Sequence, residues 1–98
     1  MTKPDKVRVT VRYLGVVRLM SGRREDVLVF TGPVTVAAIL SRLKALLPGE
    51  VYQEIQRQSL LLSPRPGAPG VVLAMPGDEG QMLEDGHCLT VVTPVTGG

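Results

Sequence analysis

From Lys6 to Tyr13 the chain alternates strictly, with Val7, Val9, Val11 and Tyr13 on one face and Arg8, Thr10 and Arg12 on the other. That period belongs to a β-strand with one face buried and one in water. Leu14 to Arg24 reads as a connection holding Gly15 and Ser21-Gly22, in which Val17, Leu19 and Met20 are expected to tuck a short turn against the core. Asp26 to Phe30 predicts a second short strand, closed by Thr31-Gly32-Pro33. The separation suits an antiparallel pair joined by a wide loop rather than a tight hairpin.

The pattern then changes period. Val36, Ile39, Leu40, Leu43 and Leu47 recur at helical spacing behind Thr35, a good N-cap, while Ser41, Arg42 and Lys44 face outward. Pro48-Gly49 ends this helix. Glu50 to Gln58 predicts an additional short helix, and Leu60 to Leu62 is either a strand or a buried connection. Ser63 to Gly70, rich in proline and glycine, is a loop. Val71 to Met75 predicts a strand stopped by Pro76 to Gly80, and Leu83 to Gly86 a turn with Asp85-Gly86 at its tip. The final strand is His87 to Val92, with Leu89 and Val91 pointing inward and Leu83 behind them. A helix laid across a mixed sheet of about four to five strands is an α+β arrangement. Burying both inward faces requires the first and last strands to be neighbours, and parallel pairing fits a right-handed crossover through the helix.

Composition narrows the chemistry. Ninety-eight residues, 44% hydrophobic and 20% charged, suit one soluble domain spanning 1–98. No run approaches a membrane span and the N-terminus carries no apolar signal segment, so a cytoplasmic location without membrane contact is expected. With one cysteine, Cys88, neither an internal disulfide nor a cysteine-based metal cage can form. With one histidine, His87, no catalytic triad or zinc hydrolase assembles. A histidine opening a strand after a turn is expected to be solvated, and a lone cysteine in a strand is usually a small buried or edge hydrophobe. Residues 1–50 carry nine Lys/Arg against four Asp/Glu, and residues 51–98 two against five, giving local charges of +5 and −3. The basic residues are scattered and aromatics make up only 3%, which disfavours nucleic acid and favours an acidic protein partner or a solvated face.

The sequence closes Thr93-Pro94-Val95-Thr96-Gly97-Gly98. Pro94 fixes its own φ, gives up a ladder donor and biases Thr93 toward an extended conformation. The last strand should therefore end near Thr93, leaving Pro94 to Gly98 as a tail that reaches roughly 16 Å at about 3.3 Å per residue. Gly97 and Gly98 lack Cβ atoms, so such a tail fits a tunnel too narrow for side chains and offers an unhindered carboxylate.

Val7–Tyr13, the helix start Thr35-Val36-Ala37-Ala38-Ile39-Leu40, the turn Leu83-Glu84-Asp85-Gly86 and the ending Pro94-Val95-Thr96-Gly97-Gly98 together resemble the β-grasp, ubiquitin-like sulfur carriers. These are the MoaD/ThiS family, and within it the small subunit of molybdopterin synthase. Two departures stand out: extra length around Glu50–Gly80, and Thr93 where a proline often precedes Pro94. They leave open which sulfur pathway is served.

The resemblance implies a protein that is not catalytic alone and holds no metal or cofactor of its own. A ubiquitin-activating-like adenylating enzyme, using ATP and Mg, would adenylate the Gly98 carboxylate. A sulfur donor protein would convert it to a thiocarboxylate. The sulfur would pass to the molybdopterin synthase large subunit or to another sulfur-acceptor enzyme, as in thiamine, cysteine or tRNA thiolation pathways. Pro94, Val95, Thr96 and Gly97 would thread the tail, with Val95 and Thr96 setting depth and register. Docking is expected on the exposed side of the sheet near the last strand, around Arg8, Arg12 and Val92. Two competing readings remain: a ubiquitin-like covalent modifier of lysines, whose activation step is the same, and a non-covalent β-grasp interaction module.

Overall fold

Apolar alternation and one long amphipathic stripe build the fold seen in the computed structural model, which describes residues 6–93. In chain order the elements are β1 (Lys6–Tyr13), α1 (Gly15–Ser21), β2 (Glu25–Thr31), β3 (Val34–Thr35), α2 (Val36–Leu46), α3 (Gly49–Ile55), β4 (Ser59–Ser63), β5 (Val71–Val72), a 3₁₀ turn at Asp78–Gly80, β6 (Met82–Leu83) and β7 (Cys88–Val92). A five-stranded sheet runs in the order β2-β1-β7-β4-β5. The pairing of β1 with β7 is parallel, Thr10 lying opposite Cys88 and Tyr13 opposite Val91. The remaining pairs are antiparallel. This is a ubiquitin-like β-grasp, with the first and last strands neighbours at its centre.

The core face follows from the β1 alternation: Val7, Val9, Val11 and Tyr13 are buried. Leu89 and Val91 of β7 join them, with Leu60 of β4 and Leu28 of β2. Across this face lies α2, whose Val36, Ile39 and Leu43 are buried and whose C-cap Leu47 completes the stripe. Leu40 packs against this core only partly buried. The Ala38 N–H donates to Thr35 Oγ1 at 3.2 Å, satisfying a donor that the first helical turn leaves free. On the outer flank of the helix, the Arg42 guanidinium sits 4.4 Å from the Phe30 ring centre.

The structure departs from sequence expectation in four places. Leu14 to Arg24 is not a turn tucked inward but contains α1, closed by Gly22 at φ 70° with its N–H bonded to the Arg18 carbonyl. Only Val17 of α1 enters the core; Leu19 and Met20 face solvent. The strand expected over Val71–Met75 is confined to Val71 and Val72, with one further bond from the Leu73 N–H to the Leu60 carbonyl at 2.9 Å. Ala74 then turns away, its N–H donating to Asp78 Oδ2 at 2.7 Å while its carbonyl accepts from the Asp78 N–H. A second, two-stranded sheet joins β3 to β6, Val34 opposite Leu83, a pairing too short to leave a periodic trace. Finally, His87 precedes β7 and is half-buried: its Nδ1 accepts the Glu84 N–H at 3.0 Å, closing the Asp85-Gly86 turn.

Candidate functional site

The root of the C-terminal segment is held from both sides. β7 lies between β1 and β4, with Val92 opposite Ser59. The Leu14 N–H donates to the Val91 carbonyl at 3.1 Å, extending the ladder by one residue beyond β1. Gly15, at φ +63°, opens α1 directly against Thr93, and a Cβ there would collide with the Thr93 side chain. Glycine is required at this position twice over, by the left-handed backbone and by the close approach. Pro94, Val95, Thr96, Gly97 and Gly98, for which threading and activation are expected from the resemblance, lie outside the described residues.

Strand alternation places Arg8 and Arg12 of β1 on the face of the sheet away from α2, and Val92 of β7 shares that face. Val29 stands opposite Arg8 and Val27 opposite Thr10, both exposed. Beyond β7 come Leu61 and Val72. The outer face is thus a partly apolar surface interrupted along β1 by two arginines. Cys88 and Thr90 occupy its middle yet are buried, flanked by β1 and β4; Cys88 Sγ lies 3.7 Å from Thr90 Oγ1. A thiol so enclosed is a packing group rather than a crosslinking one.

Where this face meets α1, a hollow of about 260 Å³ is lined by Arg12, Tyr13, Leu14, Arg18, Arg24 and Glu25. The sequence pattern points to Arg12 but not to Arg18 and Arg24, which join it because the chain from α1 to β2 returns to the end of β1, where the Tyr13 N–H donates to the Arg24 carbonyl at 2.9 Å. Beneath them the fully buried Tyr13 donates its hydroxyl to Asp26 Oδ2 at 2.9 Å, and Arg23 holds the other carboxylate oxygen at 2.8 Å. Burial pushes the Tyr13 phenol well above its ordinary value, and the hydrogen bond to Asp26 adds to the rise. A hollow of about 330 Å³ between α2, α3 and Met75-Pro76 is lined largely by apolar groups. Among the described residues, no three His, Cys, Asp or Glu side chains gather as a metal site. No helix among them is long and apolar enough to cross a membrane.

No protein-family model and no curated protein matches the sequence. Solved structures do match the fold. The solution structure of the HVO 2177 protein of Haloferax volcanii superposes with a TM-score of 0.71 at 18% identity, over 100% of this chain and 94% of that one. The crystal structure of SAMP1 from Haloferax volcanii gives 0.62 at 19% identity, over 93% and 99%. A putative molybdopterin converting factor, subunit 1, from Pyrococcus furiosus gives 0.60 at 16% identity, over 91% and 99%. Likeness at such identities establishes the shared β-grasp architecture, and function has to be argued from the site.

Proposed function

We propose that this chain is a sulfur carrier whose Gly98 carboxylate is activated by a separate adenylating enzyme and converted to a thiocarboxylate, with molybdopterin assembly as the pathway. The carboxylate oxygen attacks the α-phosphorus of ATP and pyrophosphate leaves; a sulfide equivalent from a donor protein then attacks the acyl carbon and AMP leaves. The carrier supplies one reactive end on a rigid body, while ATP, Mg and the sulfur nucleophile belong to its partners. Docking the body makes the encounter of the tail with the partner's active site effectively intramolecular.

The observation that carries this reading is the join between core and tail. Residues up to Val92 are fixed in the middle of the sheet, Thr93 rests on Gly15, and the next residues are Pro94-Val95-Thr96-Gly97-Gly98. Fold likeness to a putative molybdopterin converting factor subunit supports the choice of pathway. The outer face of the sheet, with Arg8, Arg12 and Val92, serves as the proposed docking surface for the adenylating enzyme and for the sulfur-acceptor subunit.

The test is intact-mass spectrometry of the chain after co-expression with its adenylating enzyme and sulfur donor. The expected result is a species heavier by the difference between one sulfur and one oxygen, with the change mapped to Gly98. Gly97→Phe should abolish that species while leaving thermal unfolding unchanged. A mature chain that does not end at Gly98, or an isopeptide-linked Gly98 in place of the thiocarboxylate, would overturn the reading.

A further inference from the structure

α1 displays apolar side chains that a solvated helix has no use for. Leu19 is 84% exposed, and Val16 and Met20 stand out beside it. Successive helical residues are turned by about 100°, so with Val17 facing the core Leu19 points away from the body, Arg18 on one flank and Val16 on the other. The Arg18 flank opens on the hollow shared with Arg12 and Arg24. Among the described residues the ion pairs are Arg23–Asp26 and Arg57–Glu54, so these three guanidinium groups pair with no carboxylate there. Glu25, opposite Arg12 in the β1–β2 ladder, also lines the hollow and is beyond ion-pair distance of all three.

The position matters as much as the chemistry. α1 starts at Gly15, against which Thr93 leans, so the shoulder formed by α1 and the hollow flanks the last described residue before the tail. A tail of five residues reaches roughly 16 Å, so a protein that grips Gly98 lies close enough to touch this shoulder. Arg12 belongs both to the hollow and to the outer face of the sheet, making the two surfaces continuous.

We infer that the α1 shoulder is a docking surface for the adenylating enzyme that receives the tail: an apolar socket takes Leu19, with Val16 and Met20 beside it, and carboxylates on the socket's rim enter the arginine hollow. The inference rests on the sulfur-carrier reading and names a contact surface for its partner. Guanidinium forks match carboxylates in bidentate geometry, and desolvation in a concave site strengthens the pair. An exposed leucine with apolar neighbours on one flank and arginines on the other is also the arrangement of an interface anchor with a polar rim.

The experiment measures ATP–pyrophosphate exchange by the adenylating partner at varied carrier concentration, for the wild type, Leu19→Ser and the double variant Arg18→Glu/Arg24→Glu. All three positions are exposed, so urea midpoints should coincide and folding stays out of the comparison. Each variant is expected to raise KM about tenfold or more with kcat unchanged, the mark of lost docking rather than lost chemistry. Wild-type KM should climb with salt, and the double variant should lose that dependence. Normal wild-type exchange beside variants of unchanged KM would overturn the docking surface alone. A wild type that supports no exchange would remove the carrier reading and this inference together. A wild-type dimer split by Leu19→Ser, with KM unmoved, would assign the face to self-association and also overturn the inference.

Discussion

Replacing Tyr13 by phenylalanine removes one hydroxyl from the floor of the arginine hollow, and its cost can be worked through. The ring is fully buried and stays so in the variant; the lost contact is the 2.9 Å bond to Asp26. A hydrogen bond to a charged acceptor nets about 1.5–3 kcal/mol. Asp26 keeps Arg23 and some access to water, its side chain being 19% exposed, which lowers the expected loss. About 1–2 kcal/mol at neutral pH is the resulting figure.

The pH dependence sharpens this prediction. The folded phenol titrates well above the unfolded one, whose ordinary value is 10.0, so the native state retains a proton that the unfolded state gives up. Stability from this group is complete below pH 10 and falls as pH rises toward the folded value. The slope in that window is about 1.4 kcal/mol per pH unit for one proton. The phenylalanine variant has nothing to titrate at this position, so the wild-type advantage shrinks by that slope and the two stability curves cross at about pH 11. Urea titrations followed by circular dichroism at a series of alkaline pH values measure the difference directly. Parallel curves for the two proteins, with no convergence above pH 10, would refute the Tyr13–Asp26 argument.

Further substitutions probe the cap of α2 and the contact at the tail root. Thr35→Ala removes the cap of α2 and should cost about 1 kcal/mol, whereas Thr35→Ser should cost a few tenths; equal losses would mean the hydroxyl is not the capping group. Gly15→Ala places a Cβ on a left-handed backbone and against Thr93, and should cost about 1–2 kcal/mol for the conformation alone. Thr93→Ala should recover part of the remainder, a coupling of about 0.5 kcal/mol or more in a double-mutant cycle; strict additivity would mean Thr93 does not rest on Gly15.

How far the architecture could be read before folding depended on the number of residues repeating each pattern. The eight residues of β1 and the stripe from Val36 to Leu47 declare their periods many times over, and both elements appear where expected. The parallel join of β1 and β7 was legible too, because two inward faces of one small core leave few other arrangements. Short elements escaped. In α1 seven residues bury a single side chain, so the helix has no stripe, and apolar character alone does not tell the buried Val17 from the exposed Leu19 and Met20. β3 and β6 are two residues each, below any detectable repeat.

The same distinction divides the candidate site. The chemistry proposed for Pro94 to Gly98 is local: glycine's missing Cβ and proline's fixed φ act on the backbone without help from distant parts of the chain. Arg8 and Arg12 share a face by simple alternation within β1, and Val92 reaches that face through the pairing of the first and last strands. The hollow at the tail root is different. Arg12, Arg18 and Arg24 lie on three separate stretches of chain, and Gly15 meets Thr93 across almost the whole sequence. Periodicity records which side of its own element a residue occupies; only long-range packing settles which elements stand next to one another, and the charge gathered around Tyr13 is a product of that packing.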